Sequence, residues 1–136
     1  MARKILIVDD DADLRKVLCG LLTPLGKILD ASNGAKALTL IRDEKPFLML
    51  LDVTMPEMDG LTVLTNALSI DPKLVVVMLT GELDLKVAKT ALDAGARAYV
   101  TKPFDPASLC AEVRRLAGIG DDSEEEPSGR PWHVRR

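Results

Sequence analysis

Five polar residues of this chain stand where short apolar runs end, and their types suit phosphoryl chemistry at a metal ion. Carboxylates follow the first and third runs, at Asp9, Asp10 and Asp52. A hydroxyl follows the fourth run at Thr80, and an ammonium group follows the fifth at Lys102. A lone aspartate after a strand is usually only a helix cap. Recurrence of such groups at four strand ends instead favours one shared site.

Three carboxylates in one pocket would repel one another unless something neutralised them. Two unit charges about 4 Å apart cost about 4 kcal/mol at an effective dielectric constant of about 20. Protonation of one member or a divalent cation would relieve the repulsion. The oxygen ligands, with no histidine or cysteine near them in the sequence, favour Mg²⁺ or Mn²⁺ over zinc. The cation is the better expectation, because Thr80 and Lys102 at the same edge would suit a bound phosphoryl group.

The apolar runs are predicted to be strands, and the segments between them have the apolar spacing of helices. The predicted strands cover residues 5–8, 27–31, 47–51, 74–79 and 98–100. Aspartate or asparagine precedes four of the predicted helices, and glycine follows two of them: Asp11, Asn33, Asp59 and Asp105, then Gly26 and Gly95. This alternation predicts an α/β fold with a parallel sheet, helices on both faces and right-handed crossovers.

The predicted sheet also explains how residues distant in the chain could form one site. In an open α/β sheet, ligands bind at the carboxyl ends of the strands, near the point where the strand order switches. If the first and third strands are neighbours, Asp9, Asp10 and Asp52 meet in one crevice. Chain order alone does not establish that the two strands are neighbours.

Four motifs in these positions resemble the receiver domain of bacterial two-component response regulators. They are ILIVDDD at 5–11, LLDVTMPEMDG at 50–60, MLTG at 78–81 and GARAYVTKPF at 95–104. The resemblance extends from about Lys4 to Leu116, which is nearly the whole predicted globular part. It implies a doubly wound five-stranded parallel sheet of order 2-1-3-4-5 with five helices, a flavodoxin-like three-layer sandwich.

The resemblance also implies the role of each carboxylate. Asp52 would be the nucleophile that takes a phosphoryl group from a phosphohistidine of a sensor kinase, forming an aspartyl phosphate. Asp10, Asp52 and the backbone carbonyl of Thr54 would hold Mg²⁺, and Asp9 would contribute through a water molecule. The domain would then be a signalling switch, not a turnover enzyme, although it would catalyse its own phosphoryl transfer and slow autodephosphorylation.

Other residues would read and transmit the phosphorylated state. By resemblance, Lys102 would pair with Asp52 or the phosphoryl group, and a cis bond before Pro103 would orient that lysine. Thr80 would move toward the phosphoryl oxygens and leave space for Tyr99 to turn inward. These two residues would link the site to a partner-binding face.

Four features depart from, or vary within, the family pattern. Thr54 and Glu82, two residues beyond Asp52 and Thr80, would flank the path of attacking water and set the phosphate lifetime, in a direction the sequence leaves open. The acidic residue often found shortly before the third strand is missing, since residues 45–52 read KPFLMLLD. Residues 96–99 read ARAY, without the acidic pair seen in many DNA-binding regulators. This weakens the case for their charge-paired dimer, and a phosphorylation-dependent dimer stays open.

Two other classes of protein share parts of this pattern. A haloacid-dehalogenase-like phosphatase also uses a nucleophilic aspartate and Mg²⁺, but it needs a second acid where this chain has Thr54. A receiver that has lost its chemistry would serve only as an interaction module, yet all five polar residues of the site are retained here. Labelling by a small phosphodonor distinguishes the three classes.

Composition limits the kinds of partner to expect. The net charge of −3 gives no general electrostatic reason to bind nucleic acid or an anionic membrane, so neither is expected of this domain. No segment has the roughly 20 apolar residues of a membrane span. Cys19 and Cys110 are expected to be small buried or half-buried residues rather than a disulfide or metal site. The default expectation for location is the cytoplasm.

The chain is predicted to divide into a receiver domain at 1–119 and a tail at 120–136. The segment DDSEEEPSGRPWHVRR, which begins at Asp121, has no apolar period and is expected to be disordered or a linker stub. Trp132 and His133 could instead form a docking motif. The expected partners are a sensor histidine kinase or phosphotransfer protein, and a downstream protein or a missing effector domain. A stand-alone regulator and a fragment of a longer protein both remain open.

Overall fold

A computed structural model of the chain describes residues 3–52, 59–80, 85–101 and 104–117. Strands and helices alternate throughout these ranges, as the apolar pattern predicts. The elements are β1 Lys4–Val8, α1 Ala12–Leu22, β2 Lys27–Ala31, α2 Gly34–Glu44, β3 Leu48–Asp52, α3 Gly60–Ile70, β4 Val75–Thr80, α4 Leu85–Asp93, β5 Ala98–Thr101 and α5 Pro106–Leu116. The tail at 120–136 lies outside the described residues, so the proposed domain boundary stays a prediction.

The helix starts follow the capping residues seen in the sequence. Asp11 and Asn33 precede α1 and α2, and their side chains accept hydrogen bonds from backbone N–H groups of the first turn. Asp59 and Asp105 do the same for α3 and α5. These bonds satisfy donors that have no partner inside the helix, which is why the helices begin where they do.

The end of α1 differs from the sequence prediction. The apolar spacing predicts one helix face that continues to Leu25, with Gly26 as the stop, but α1 ends at Leu22 and a 3₁₀ turn covers Thr23–Leu25. Pro24 accounts for the difference, because it has no N–H to donate to the preceding turn of an α-helix.

All five strands form one parallel sheet in the order β2-β1-β3-β4-β5, which confirms the order implied by the resemblance. Strands β3 and β4 are buried along their whole length. Alternate strand side chains enter two separate apolar clusters, one against α2, α3 and α4 and the other against α1 and α5. The result is the predicted three-layer sandwich, with both faces of the sheet covered.

Within the residues that the structure describes, no helix is long and apolar enough to cross a membrane. Cys19 and Cys110 are both free and half-buried, as expected.

Candidate phosphoryl and metal site

The register of the strands brings the carboxylates at the ends of β1 and β3 side by side. β1 lies between β2 and β3, at the point where the strand order switches. Val8 of β1 pairs with Leu51 of β3. The next residue along each strand is Asp9 and Asp52, so the two carboxylates emerge together at the carboxyl edge. The crevice expected from the sequence therefore exists, and the sheet order is what creates it.

The carboxylates of Asp9, Asp10 and Asp52 form one cluster. One oxygen from each lies within 4.8 Å of the other two. Asp9 and Asp52 are 1% and 2% exposed, whereas Asp10 is exposed. Buried carboxylates this close are costly without a neutralising cation. The all-oxygen donor set fits Mg²⁺, which keeps several waters when few carboxylates bind it, and the exposed side at Asp10 gives those waters room.

Hydrogen bonds fix the turn that carries Asp9. Its N–H donates to the carbonyl of Ala31 at 3.1 Å, and its Oδ1 accepts from the N–H of Asp11 at 2.9 Å. Its own carbonyl accepts from Nη1 of Arg15 at 2.8 Å. The same guanidinium donates through Nε to Oδ2 of Asp30 at 2.9 Å. The turn between β1 and α1 is therefore tied to both the helix and the neighbouring strand.

Arg15 is the residue near this site that sequence reasoning missed. Its place in the helical pattern is that of an ordinary polar residue between Leu14 and Leu18. Its contact with Asp9 depends on the position of α1 above the strand ends, and its contact with Asp30 depends on β1 pairing with β2. No local spacing in the sequence reports either contact.

The two predicted switch residues lie on the last two strands. Thr80 ends β4 and is 3% exposed, and Tyr99 in β5 is 2% exposed. Met78 pairs with Tyr99, and Thr80 pairs with Thr101. Since side chains alternate along strands, Thr80, Met78 and Tyr99 share one face of the sheet. Tyr99 packs in the cluster on the α2, α3 and α4 side.

Four predicted residues lie outside the described residues: Thr54, Glu82, Lys102 and Pro103. Their roles in metal binding, phosphate lifetime and phosphoryl pairing therefore stay predictions. The structure brings Asp9, Asp10 and Asp52 together, and it places Thr80 at the carboxyl end of β4, next to β3 in the sheet.

Comparison with known proteins agrees with this geometry. The family model of the response regulator receiver domain matches residues 5–114. "Probable transcriptional regulator ycf27" of Porphyra purpurea is 42% identical over 119 residues, which cover 87% of this chain and 49% of that protein. The chain spans about half the length of the curated relatives it matches.

Solved structures show the same fold. A CheY-like response regulator receiver domain protein from Methanospirillum hungatei JF-1 superposes with a TM-score of 0.81 at 30% identity, covering 85% of this chain and 94% of that one. A chain of the CheX–CheY–BeF₃–Mg²⁺ complex from Borrelia burgdorferi gives a TM-score of 0.79 at 31% identity, covering 85% and 89%.

Proposed function

The chain belongs to the response regulator receiver family, and on that premise we propose that Asp52 accepts a phosphoryl group from a phosphohistidine. The donor would be a sensor histidine kinase or a phosphotransfer protein. The observation that carries the proposal is the cluster of Asp9, Asp10 and Asp52 at the switch point of the sheet. The domain acts as a switch whose own chemistry forms and slowly loses the phosphate.

Mg²⁺ is the proposed cofactor, with Mn²⁺ able to replace it. Asp10, Asp52 and the backbone carbonyl of Thr54 would hold the ion, and Asp9 would contribute through a water molecule. When bound, the ion supplies positive charge that offsets the carboxylates and the phosphoryl oxygens. Supporting this is the donor set itself, which consists of hard oxygens within 4.8 Å of one another.

Asp52 provides the nucleophile. One of its carboxylate oxygens forms the new P–O bond while the P–N bond of the phosphohistidine breaks, and the electron pair of that bond goes to the imidazole nitrogen. The Thr80 hydroxyl would donate to a phosphoryl oxygen, and the Lys102 ammonium group would pair with another. Burial of Asp52 and Thr80 limits the access of water to the acyl phosphate. Thr54 and Glu82 would set the remaining rate at which the acyl phosphate is hydrolysed.

The output of the switch is proposed from chemistry and from the relatives. An acidic domain with net charge −3 has no general means of binding nucleic acid, so the signal would pass to a protein partner or an effector domain. The relative of Porphyra purpurea, named as a transcriptional regulator, is about twice as long as the shared region. A cytoplasmic location follows from kinase-dependent phosphorylation. Thr80 and Tyr99 would link the site to the partner-binding face, and the same face could support a phosphorylation-dependent dimer.

The test is labelling with acetyl phosphate in the presence and absence of Mg²⁺, followed by intact mass and phosphate release. We expect one phosphate per chain, stable in acid and lost in alkali, only when Mg²⁺ is present. Asp52→Asn should remain unlabelled, whereas Asp93→Asn, an exposed carboxylate on α4, should label like the wild type.

Two results would contradict the proposal. Continuous release of inorganic phosphate with many turnovers would indicate a phosphatase. Absence of label in the folded wild type, or full labelling of Asp52→Asn, would leave an interaction module or another acceptor.

A further inference from the structure

Arg15 joins the loop that carries the acidic cluster to the neighbouring strand β2. Nη1 lies 2.8 Å from the carbonyl oxygen of Asp9, and Nε lies 2.9 Å from Oδ2 of Asp30. The Arg15 side chain is 18% exposed, against 49% for Asp30. The guanidinium is thus largely enclosed and is held at two points, so its position is well defined.

The bond to Asp9 acts on two predicted metal ligands at once. The Asp9 carbonyl belongs to the planar peptide unit that connects Asp9 to Asp10. A hydrogen bond to that oxygen therefore restricts rotation of the unit and, with it, the direction of both side chains. The N–H of Asp9 and its Oδ1 are bonded separately, to Ala31 and Asp11. Arg15 supplies a contact to the carbonyl oxygen of Asp9.

We propose that Arg15 is a positioning residue for the metal site, which holds the Asp9–Asp10 peptide in the orientation that directs both carboxylates at the ion. This inference rests on the proposed function, because it requires that the cluster bind a divalent cation. The guanidinium fits the role because its planar fork holds fixed donors at fixed angles, toward the carbonyl and toward Asp30. A lysine has a single nitrogen and cannot reproduce both contacts in the same geometry.

Whether replacement of Arg15 weakens or tightens metal binding distinguishes a positioning role from a purely electrostatic one. A fixed positive charge near the cluster opposes binding of a cation, so removing that charge alone should tighten metal binding. Loss of positioning should instead weaken it. Replacement of groups that orient metal ligands typically costs about 10–100-fold in metal affinity. Because Arg15 acts on the backbone rather than on a ligand atom, we expect the lower part of that range, about tenfold.

The experiment measures Mn²⁺ binding by the loss of the free-ion electron paramagnetic resonance signal. We compare the wild type with Arg15→Lys and Arg15→Met, and expect weaker binding in both, including the variant that keeps the charge. Lys4→Met is the matched control. It removes a cation that pairs with the Glu44 carboxylate at 2.9 Å, but Lys4 begins β1, at the end of the strand opposite the cluster. Its Mn²⁺ affinity should equal that of the wild type.

A double-mutant cycle tests whether Asp30 acts through Arg15. Asp30→Ala should weaken Mn²⁺ binding in the wild type and have no further effect in Arg15→Met. If the Asp30 charge acted on the ion directly, the substitution would weaken binding equally in both backgrounds.

Further measurements separate positioning from misfolding and from failure of the proposed function. Each variant should keep a cooperative thermal transition in EDTA, and its labelling by acetyl phosphate should recover as Mg²⁺ is raised. Unchanged or tighter Mn²⁺ binding in both Arg15 variants would overturn the positioning role while leaving the proposed function standing. A wild type that binds no Mn²⁺ would overturn both.

Discussion

Thr80 and Tyr99 are diagonal neighbours on one face of the sheet, on the adjacent strands β4 and β5, and both are almost fully buried. Met78 pairs with Tyr99, so Thr80 lies two residues closer to the carboxyl edge of the sheet than Tyr99 does. The resemblance implies that Tyr99 turns inward after Thr80 moves toward a phosphoryl group. Tyr99 is buried in this structure, with 2% of the residue exposed.

The burial of Tyr99 predicts that its ring is protected from solvent. The chain has one tyrosine and one tryptophan, so Trp132→Phe leaves Tyr99 as the only strong emitter. We expect weak acrylamide quenching of Tyr99 in the unmodified protein and little further change on labelling with acetyl phosphate and Mg²⁺. Asp52→Asn serves as the unlabelled control. Strong quenching that disappears only on labelling would show instead that phosphorylation drives the ring inward.

The acidic cluster predicts a conflict between metal binding and stability. Asp10→Asn removes one charge from three carboxylates that lie within 4.8 Å of one another. Since Asp10 is exposed, we expect a gain on the order of 1 kcal/mol in EDTA, or a few °C in Tm. The Mg²⁺-dependent rise in Tm seen with the wild type should be lost, because that rise reports binding to the folded state. Differential scanning calorimetry measures both.

Asp93→Asn is the control for this comparison. Asp93 is an exposed carboxylate on α4 that pairs with Lys89 at 3.1 Å, outside the cluster. Its Tm should hardly change in EDTA, and the Mg²⁺ response should be kept. An Asp10→Asn protein that keeps the full Mg²⁺ response would exclude Asp10 as a ligand.

The features that could be predicted from sequence are local. Asp11 and Asn33 were expected to stand at helix starts, and both side chains do cap them, because the bonds span only a few residues. Apolar runs without polar interruption correctly predicted strands buried on both faces. The neighbour relation of β1 and β3 came only from resemblance to a known family, since chain order does not specify it.

The features that sequence reasoning missed are of two kinds. The early end of α1 depends on Pro24, whose backbone effect outweighed an apolar spacing that continued to Leu25. Arg15 lies six residues from Asp9 and 15 from Asp30, and both contacts require that the helix has packed over the sheet. Residues of this second kind connect the acidic cluster to the rest of the fold.

Two glycines predict opposite responses to the same substitution. Gly95 follows α4 with φ of +118°, and a Cβ there would lie 2.6 Å from Cδ1 of Leu68. Gly95→Ala should therefore destabilise the protein by about 1–3 kcal/mol. Gly20 lies inside α1 with nothing within 4 Å of the added atom, so Gly20→Ala should stabilise by about 0.5–1 kcal/mol. Urea unfolding of both variants gives the comparison, and shifts of the same sign would contradict it.

Burial predicts that the Cys19 thiol is alkylated slowly. Desolvation raises the pKa of the Cys19 thiol, the Asp30 carboxylate raises it further, and the Arg15 guanidinium opposes them. The thiolate is the reactive form, so the native thiol should be alkylated more slowly by iodoacetamide at pH 8 than the same residue in a free peptide of residues 17–27. The midpoint of its pH–rate profile should also lie higher. Between the two midpoints the folded chain holds a proton that the unfolded chain has lost, so stability falls as pH rises through that window.

The measurement uses mass spectrometry to follow alkylation of Cys19 separately from Cys110. Asp30→Asn should move the Cys19 midpoint down toward that of the peptide, because one cause of the raised pKa has been removed, whereas Arg15→Met should move it up. Desolvation is the largest cause, so Asp30→Asn should recover only part of the difference. A native midpoint equal to or below that of the peptide would show that the thiol is solvated, against its half-buried place beside the α1 and α5 core.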